Sequence, residues 1–450
     1  MSGPFLVLLL ILAIAFIIFA TARVRMHPFL VLLVTAYGFG LLGGLPAADT
    51  VKAITGGFGG TIGYIGIVIA AGTIIGFILE KSGGAWVMAT TVIRWVGEAR
   101  SALAMSITGA IVSIPVFCDS GFVILSSLAR SLAVKAKQSM ALYAVALSLG
   151  LYATHVFVPP TPGPIAAAGT LKADIGMVML LGLVVTIPVV IVSYLFASFM
   201  GRRIYIDPER GEQVETHMEQ SAREHERELP SPLMAFAPIV VPIVLIALGS
   251  VAQFPARPLG DGLVAGVLTF LGNPNTALLL GVFLAFLTVR ERGPKVYGEW
   301  VGAGLVNAGT IILITGAGGA LGGVLKATPI GDYLGRILAD WNIGIFLPFL
   351  IAAALKTAQG SSTVAIITTA SIVVPLLGTM GLDTGMGPVL VTLAIGAGAM
   401  TVSHANDSYF WVVSQLSGME VAQAYKLQTL GTAVAGITGI ASVFVLSLFL

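Results

Sequence analysis

The sequence predicts an all-α polytopic membrane protein, made of two inverted-topology repeats that each contain a re-entrant hairpin and a broken transmembrane helix. Of its 450 residues, 57% are hydrophobic and only 10% are charged. Soluble domains average about 25% charged residues, so this composition indicates that lipid surrounds the chain. The apolar residues also fall in blocks of roughly 17 to 25 residues, the length that spans a bilayer. Polar segments interrupt these blocks twice in each half of the chain.

The candidate membrane spans are the apolar blocks of the chain. They lie at residues 4–20, 28–45, 62–80, 140–160, 176–200, 233–250, 276–290, 305–325, 386–403 and 427–450. The first block has the length of a signal peptide, but it lacks a basic start and a clear small-residue cleavage site. We therefore expect it to be retained as the first helix.

One long hydrophilic stretch divides the chain into two halves. Residues 201–231 carry mixed charges and few apolar side chains, which is typical of a solvated cytoplasmic linker. Residues 1–200 then form the first repeat and residues 232–450 the second. With the N-terminus placed outside, most Lys and Arg residues fall in loops on the inner side. The positive-inside rule therefore predicts that both termini are periplasmic.

Two further apolar segments carry a polar knot at the middle. In residues 101–135 the knot is Pro115–Phe122, and in residues 341–378 it is Lys356–Thr363. The arms that flank each knot are too short to cross a bilayer comfortably. Each segment is therefore predicted to enter and leave the membrane on the same side as a re-entrant hairpin with the knot at its tip. The orientation above requires this, because Arg100 and Lys135 would otherwise fall on opposite sides.

The span that follows each hairpin is interrupted as well. Residues 140–172 contain Phe157–Pro164, where four prolines in six positions cannot remain helical. Residues 386–416 contain the polar interruption Ser403–Ser408. Hairpin and broken helix thus occur twice in the same order, and an odd number of crossings in each half makes the second copy inverted. Such repeats with interrupted helices point to a transporter site near the middle of the membrane.

The repeat is also visible in a glycine spacing ahead of each hairpin. The matched residues are Gly72, Gly76, Leu79 and Glu80 in the first half and Gly318, Gly322, Leu325 and Lys326 in the second. Glycine allows membrane helices to approach closely. The recurrence supports the division of the chain into two repeats.

The interruptions carry the predicted substrate site. A half-helix that begins inside the membrane offers free N–H groups and the positive end of its dipole, which together bind anions. Small hydroxyl and amide side chains there add hydrogen-bond donors, although Ser and Thr in membrane helices also bond to their own turn. The predicted substrate-binding residues are Asp119, Ser120, Gly121, Pro160, Thr161, Gln359, Gly360, Ser361, Ser362, Thr363, Asn406 and Asp407.

Ionisable groups at membrane depth are functional candidates by default, and the chain has few of them. Asp119, Asp407, His155, His404 and Lys356 are the candidates for proton coupling. Each has an alternative role. Either Asp can cap a half-helix and stay ionised, and either His can be a satisfied packing residue. Lys356 can neutralise a substrate carboxylate or pair with an acidic residue to hold its hairpin.

Composition and motifs exclude several classes of protein. The chain has no GxxxxGK[ST] phosphate-binding loop and no soluble nucleotide domain, so an ion gradient must supply the energy. With one cysteine and five scattered histidines, no metal-ligand spacing is present and no cofactor is expected. The net charge of +2 is thinly spread and indicates no nucleic-acid partner. We therefore do not expect an enzyme.

Four segments resemble those of the gluconate permease (GntP) family, in the same order and over essentially the whole length. They are Phe117–Phe122 (FCDSGF), Val158–Pro164 (VPPTPGP), Lys356–Ala365 (KTAQGSSTVA) and Ser403–Trp411 (SHANDSYFW). The resemblance implies proton-coupled uptake of gluconate or a similar small sugar acid across a bacterial inner membrane. Some relatives carry D-serine instead.

The resemblance also implies membership of the ion transporter superfamily, whose dicarboxylate carriers dimerise through a scaffold and move a transport domain like an elevator. Sodium-coupled members carry Ser-Asn-Thr at the hairpin tips. This chain has Asp119-Ser-Gly and Ser361-Ser-Thr there, which favours protons. The substrate carboxylate would lie on half-helix N–H groups near Ser361. Three alternatives stay open: a carrier of D-serine or another small carboxylate, a sodium/proton antiporter, and an integral-membrane enzyme.

Overall fold

The structure is a computed structural model, and every regular element among the residues that it describes is helical. It describes residues 3–97, 100–208, 229–252, 260, 262–290, 293–330, 333 and 344–450. Most of the predicted linker, residues 209–228, and residues 341–343 of the second hairpin lie outside them. The boundaries of the two repeats at 1–200, 201–231 and 232–450 stay a prediction.

The described residues of the first half form nine α-helices, which range from 10 to 35 residues in length. They are α1 Gly3–Ile18, α2 Pro28–Leu42, α3 Ala47–Lys81, α4 Gly84–Val96, α5 Ser101–Val112, α6 Cys118–Ala136, α7 Met140–Phe157, α8 Pro162–Leu171 and α9 Ile175–Gly201. The described residues of the second half continue the series. They form α10 Pro232–Ala252, α11 Leu263–Leu271, α12 Pro274–Phe286, α13 Val301–Ala327, α14 Phe346–Gln359, α15 Ser362–Val373, α16 Gly387–Met400, α17 Ser408–Leu416, α18 Val421–Ala424 and α19 Leu430–Ser447.

Within the described residues, seven helical segments are long and apolar enough to cross a membrane, or eight if the bent pair α11 and α12 counts as one span. The all-α membrane fold predicted from composition is confirmed. The predicted span 62–80 was too short, because α3 runs for 35 residues from Ala47 to Lys81. Its glycine-rich first turns have poor helix propensity on their own. Packing against α13 stabilises them: a Cβ at Gly57 or Gly319 would collide with the facing backbone.

The two hairpins occur where the polar knots predict them. In hairpin 1, α5 ends at Val112 and α6 begins at Cys118, and the two helices pack against each other. In hairpin 2, α14 ends at Gln359 and α15 begins at Ser362, with the same mutual packing. Gly360 closes the second tip with φ of +86°, a conformation that side-chain-bearing residues rarely adopt.

The two broken helices also occur where they were predicted. Break 1, residues 158–161, separates α7 from α8, and Pro162 starts α8 at a position where its missing N–H costs nothing. Break 2, residues 401–407, separates α16 from α17, and Asp407 caps α17. A long helix follows in each half, and these helices, α9 and α19, pack together.

The repeated glycines lie where helices press on the hairpins and breaks. A Cβ at Gly72 would lie 2.8 Å from Cβ of Pro160 in break 1, and one at Gly76 would collide with the Pro115 carbonyl in hairpin 1. In the second half, a Cβ at Gly318 would lie 2.6 Å from Cγ2 of Ile367 in α15. The glycine spacing therefore allows α3 and α13 to support the interrupted segments from outside.

Candidate substrate site

The two hairpin tips and the two breaks come together in one region. A Cβ at Gly163, just after break 1, would lie 2.8 Å from Cδ1 of Ile366 and 3.8 Å from Cα of Thr363 at the start of α15. A Cβ at Gly360 would collide with the carbonyl of Asn406 in break 2. The tip of hairpin 2 therefore touches both breaks. Sequence separation hides these contacts, because they join segments that lie up to about 200 positions apart.

A buried ion pair joins hairpin 2 to break 2. Nζ of Lys356 lies 2.6 Å from Oδ2 of Asp407, and the two side chains are 1% and 6% exposed. The same ammonium donates to the Gly360 carbonyl, and it lies 5.7 Å from the centre of the Tyr152 ring. Of the two roles predicted for Lys356, the geometry supports pairing with an acidic residue that holds the hairpin.

Asp407 is fully engaged by its surroundings. Its Oδ1 accepts from the backbone N–H of Tyr409 at 3.1 Å, so the side chain caps α17. Its Oδ2 accepts from the Ser403 hydroxyl as well as from Lys356. Three donors from hairpin 2, break 2 and α17 therefore converge on the Asp407 carboxylate.

The exposed polar surface of the site belongs to hairpin 2 and break 2. Ser361 is exposed and caps α15 by accepting from the Val364 N–H at 3.3 Å, which leaves its hydroxyl hydrogen to donate elsewhere. Nε2 of His404 and Nδ2 of Asn406 each lie 2.8 Å from the Thr357 carbonyl and donate to it. Gln359 and Thr363 are half-buried, whereas Ser362 is buried. The start of α15 therefore offers N–H groups beside exposed hydroxyl and amide groups.

The tip of hairpin 1 contributes a carboxylate without a cation. Asp119 is half-buried, and among the described residues no cationic group forms an ion pair with it. Oδ1 of Asp119 lies 3.5 Å from Oγ of Ser408 in the second half, and Oδ2 lies 3.7 Å from Sγ of Cys118. Ser120 is half-buried beside it, and Gly121 packs on Leu151. Asp119 thus faces the first turn of α17 across the site.

Break 1 presents little polar surface. Pro160 and Thr161 are buried, and the Thr161 hydroxyl donates to the Val158 carbonyl of its own turn at 2.6 Å. Pro160 packs against Gly72. The geometry therefore gives these two residues a shaping role, while their predicted contact with substrate remains a prediction.

His155 differs from His404 in its surroundings. It is buried, its ring lies 6.3 Å from that of Tyr152 and 6.1 Å from that of Phe117, and Nδ1 has no hydrogen-bond partner among the described residues. The half-buried His404 instead holds the loop of break 2 to hairpin 2. Neither histidine joins a cluster that could hold a metal ion in the described part of the chain.

Several contributors to the site were missed in the sequence. Ser403 and Ser408 flank Asp407 and bond to the two carboxylates, and the carbonyl of Thr357 collects two donors from break 2. Away from the site, Arg130 in α6 joins hairpin 1 to the end of α17 by donating to the Pro208 and Leu416 carbonyls, both at 2.7 Å. The serines stand inside a recognised polar interruption, so their position was a usable signal. Arg130 gave none, because its partners are backbone atoms distant in sequence.

The fold and the site together define a multi-pass membrane transporter: apolar spans surround broken helices whose polar ends face one another at the centre. The chain belongs to the GntP family permeases, whose model matches residues 5–449. It is therefore a permease and not an enzyme.

Individual relatives cover almost the whole chain. A protein named gluconate permease from Pseudomonas aeruginosa is 36% identical over 95% of this chain and 94% of its own length. The D-serine transporter DsdX from Escherichia coli K12 is 33% identical over 97% of both. The solved structure of the Alcanivorax borkumensis YdaH transporter covers 94% of this chain and 99% of its own, with a TM-score of 0.65 and 15% identity. That likeness concerns the fold alone.

Proposed function

We propose that the protein is a proton-coupled symporter that imports gluconate or a similar small sugar acid across the bacterial inner membrane. The observation that carries the proposal is the meeting of both hairpin tips and both breaks around exposed polar groups. Relatives named for gluconate transport support the substrate class. A helical bundle also suits the inner membrane, since bacterial outer-membrane spans are β-barrels.

The substrate carboxylate is proposed to bind at the start of α15. The N–H groups of its first turn and the Ser361 hydroxyl provide donors next to the positive end of the helix dipole. The substrate hydroxyls would then meet the exposed groups of Asn406 and Ser408 and the half-buried Ser120. Because Lys356 and Asp407 neutralise each other, they add no net charge that would oppose an anion here.

Asp119 is the proposed coupling residue. It is the half-buried carboxylate of the site, and its described partners are a hydroxyl and a thiol rather than a cation. A partly desolvated carboxylate without a cationic partner is stabilised when it takes up a proton. Protonation of Asp119 would also remove the negative charge that faces an incoming anion across the site.

The coupling residue is tested by changing Asp119→Asn. The amide keeps the size of the side chain and an oxygen that can accept from Ser408, but it cannot titrate, so gluconate uptake should continue by exchange and lose its response to an imposed pH gradient. The exposed Asp49→Asn, in the first turn of α3, is the matched control and should retain the response. Uptake in Asp119→Asn that still follows the pH gradient would remove Asp119 from this role.

D-serine is the second candidate substrate, and the carboxylate of Asp119 is the feature that favours it. Asp119, which has no cationic partner among the described residues, can bind the ammonium group of a zwitterion while the start of α15 binds its carboxylate. The relative named as a D-serine transporter is nearly as similar as the gluconate permease. An ammonium contact would need Asp119 ionised, whereas proton coupling needs it to accept a proton.

The function is tested with purified protein in proteoliposomes. Uptake of radiolabelled gluconate and of D-serine is measured with an inward proton gradient, with an inward sodium gradient and with neither. The proposal predicts gluconate accumulation with the proton gradient alone. D-serine accumulation would select the second candidate. Sodium flux without uptake of either solute would contradict both candidates and support an antiporter.

Assembly and movement are proposed from the same family membership. The chain is expected to form a homodimer through scaffold helices and to carry the hairpins and broken helices across the membrane like an elevator. Exposed apolar side chains cover α11, with Leu263 at 85% and Phe270 at 67% exposure. Such a face needs lipid or a second protomer against it.

A further inference from the structure

A polar cavity lies at the opposite end of hairpin 1 from the substrate site. It has a volume of about 680 Å³ and lies between the start of α5, the end of α6, the start of α7 and the end of α9. Asp119 at the tip and Lys135 near the base are 16 positions apart on α6, which corresponds to roughly 24 Å along the helix. None of the residues that line this cavity is among the predicted substrate-binding residues.

The lining of this cavity is strongly basic. Arg100, Lys135, Lys137 and Arg202 contribute to it, and none of its described lining residues carries a carboxylate. Arg100, Lys137 and Arg202 are exposed at three different helix ends, so the fold brings them together rather than one helix. The charges of Arg100, Lys137 and Arg202 alone would stabilise an anion that is bound in this cavity.

The floor of the cavity is polar and ordered. The hydroxyls of Ser101 and Tyr143 lie 2.7 Å apart, and the Tyr143 hydroxyl lies 3.4 Å from Oε1 of Gln138. Ser101 and Tyr143 are buried, so their positions are fixed by the packing of α5 against α7. The cations therefore surround a built pocket with hydroxyl groups at its base.

An apolar stripe runs along α9 towards the same cavity. Ile187, Ile191, Leu195 and Phe199 are 60%, 52%, 58% and 53% exposed, and they follow one another at helical spacing. Ser198 in the last turn of α9 and Arg202 directly after the helix line the cavity. A lipid acyl chain can lie along the stripe while its headgroup enters the cavity, an arrangement that a solute phosphate does not need.

We propose that this cavity binds a phosphate group, presented by an anionic phospholipid of the cytoplasmic leaflet. Basic pockets between membrane helices on the cytoplasmic side suit such headgroups, and guanidinium groups bind phosphate oxygens in pairs. The bound lipid would join both open ends of hairpin 1 to α7 and α9. It would thereby restrain the base of the hairpin whose tip carries Asp119.

The test uses the full-length protein in nanodiscs that contain phosphatidylcholine with or without phosphatidylglycerol. Native mass spectrometry counts the phosphatidylglycerol molecules that stay bound and gives their apparent affinity. The triple variant Arg100→Gln, Lys137→Asn and Arg202→Gln removes three cations, and Asn suits the left-handed backbone of Lys137. Affinity should fall roughly fivefold for each cation, and on the order of 100-fold for all three.

A matched control removes the same charge elsewhere. Arg23→Gln, Arg94→Gln and Lys172→Asn change exposed cations outside the cavity, and Lys172 has the same left-handed backbone as Lys137. This control should retain phosphatidylglycerol as the wild type does. If the triple variant does not fold, Lys137→Asn and Lys172→Asn provide the same comparison at about a fivefold difference.

A second arm identifies the source of the phosphate. Inorganic phosphate is titrated against protein in phosphatidylcholine nanodiscs, and thermal unfolding reports binding. Stabilisation by phosphate without retained phosphatidylglycerol would assign the cavity to a solute phosphate. Equal retention of phosphatidylglycerol by the wild type and the triple variant, with no effect of phosphate on either, would overturn the proposal.

Discussion

The two halves of the substrate site are built differently although they share one order of elements. In the second half, the ion pair between Lys356 and Asp407 ties the hairpin tip to the break, and both side chains are buried. In the first half, break 1 is a proline-rich and buried turn, and the acidic residue of the tip, Asp119, has no cationic partner among the described residues. In the second half, an ion pair joins the hairpin to the break, whereas in the first half break 1 is stabilised by the packing of its buried residues.

This difference predicts that the two halves behave differently when the transporter moves. A buried ion pair that also receives hydroxyl and N–H donors is costly to break, so hairpin 2 and break 2 should move as one unit. Hairpin 1 meets α17, the helix that follows break 2, through the long contact between Asp119 and Ser408 and through the edge-to-face rings of Phe122 and Tyr409. A change of charge on Asp119 would therefore act at a contact between the two halves that lies outside the ion pair.

The largest effect is expected from removing one partner of the ion pair. Lys356→Met leaves the Asp407 carboxylate buried without its cation, which should lower the free energy of unfolding by about 3–5 kcal/mol. Adding Asp407→Asn removes the orphaned charge and keeps an N-cap for α17, so the double variant should recover most of the loss. Thermal unfolding in detergent compares the stability of the wild type, Lys356→Met and the double variant.

The exposed Lys426→Met provides the control, and it should change stability by less than about 0.5 kcal/mol. If Lys356→Met were as stable as this control, the ion pair would not hold the second half together. If the double variant were no more stable than Lys356→Met, the loss would come from packing rather than from charge.

A smaller effect is expected at the contact between Gly360 and break 2. Gly360→Ala meets both an unfavourable φ of +86° and the Asn406 carbonyl. Gly381→Ala meets an unfavourable φ of +66° with no atom within 4 Å, so it measures the backbone strain alone, about 1–2 kcal/mol. Gly360→Ala should cost clearly more than Gly381→Ala in thermal unfolding and should reduce gluconate uptake. Equal costs would mean that the tip of hairpin 2 does not press on break 2.

The smallest effect is expected in break 1. Thr161→Val removes a hydroxyl that donates to its own turn, so uptake should keep its apparent affinity for gluconate and stability should fall by about 1 kcal/mol. Thr186→Val, which loses the same kind of bond within α9, is the control and should behave alike. A selective loss of gluconate affinity in Thr161→Val would restore the predicted substrate contact of Thr161.

The sequence predicted the interrupted segments well because their signals are local. Prolines, glycines and polar residues inside apolar blocks locate both hairpins and both breaks to within a few residues. The pairing of Lys356 with Asp407 was open, because the two residues are 51 positions apart and several acidic partners were available. Helices α4 and α11 were missed as elements, since each is shorter than a span. The extra length of α3 depends on its packing with α13, which no local pattern records.

The central claim is that the start of α15 binds the substrate carboxylate. Equilibrium binding of radiolabelled gluconate to purified protein is compared for the wild type, Ser361→Ala with Ser362→Ala, and Asn273→Ala. The last variant removes the N-cap of α12 and so controls for lost capping, worth about 1 kcal/mol. The account predicts that the double serine variant loses gluconate binding while the Asn273→Ala variant keeps it. Unaltered gluconate binding in the double serine variant would contradict it.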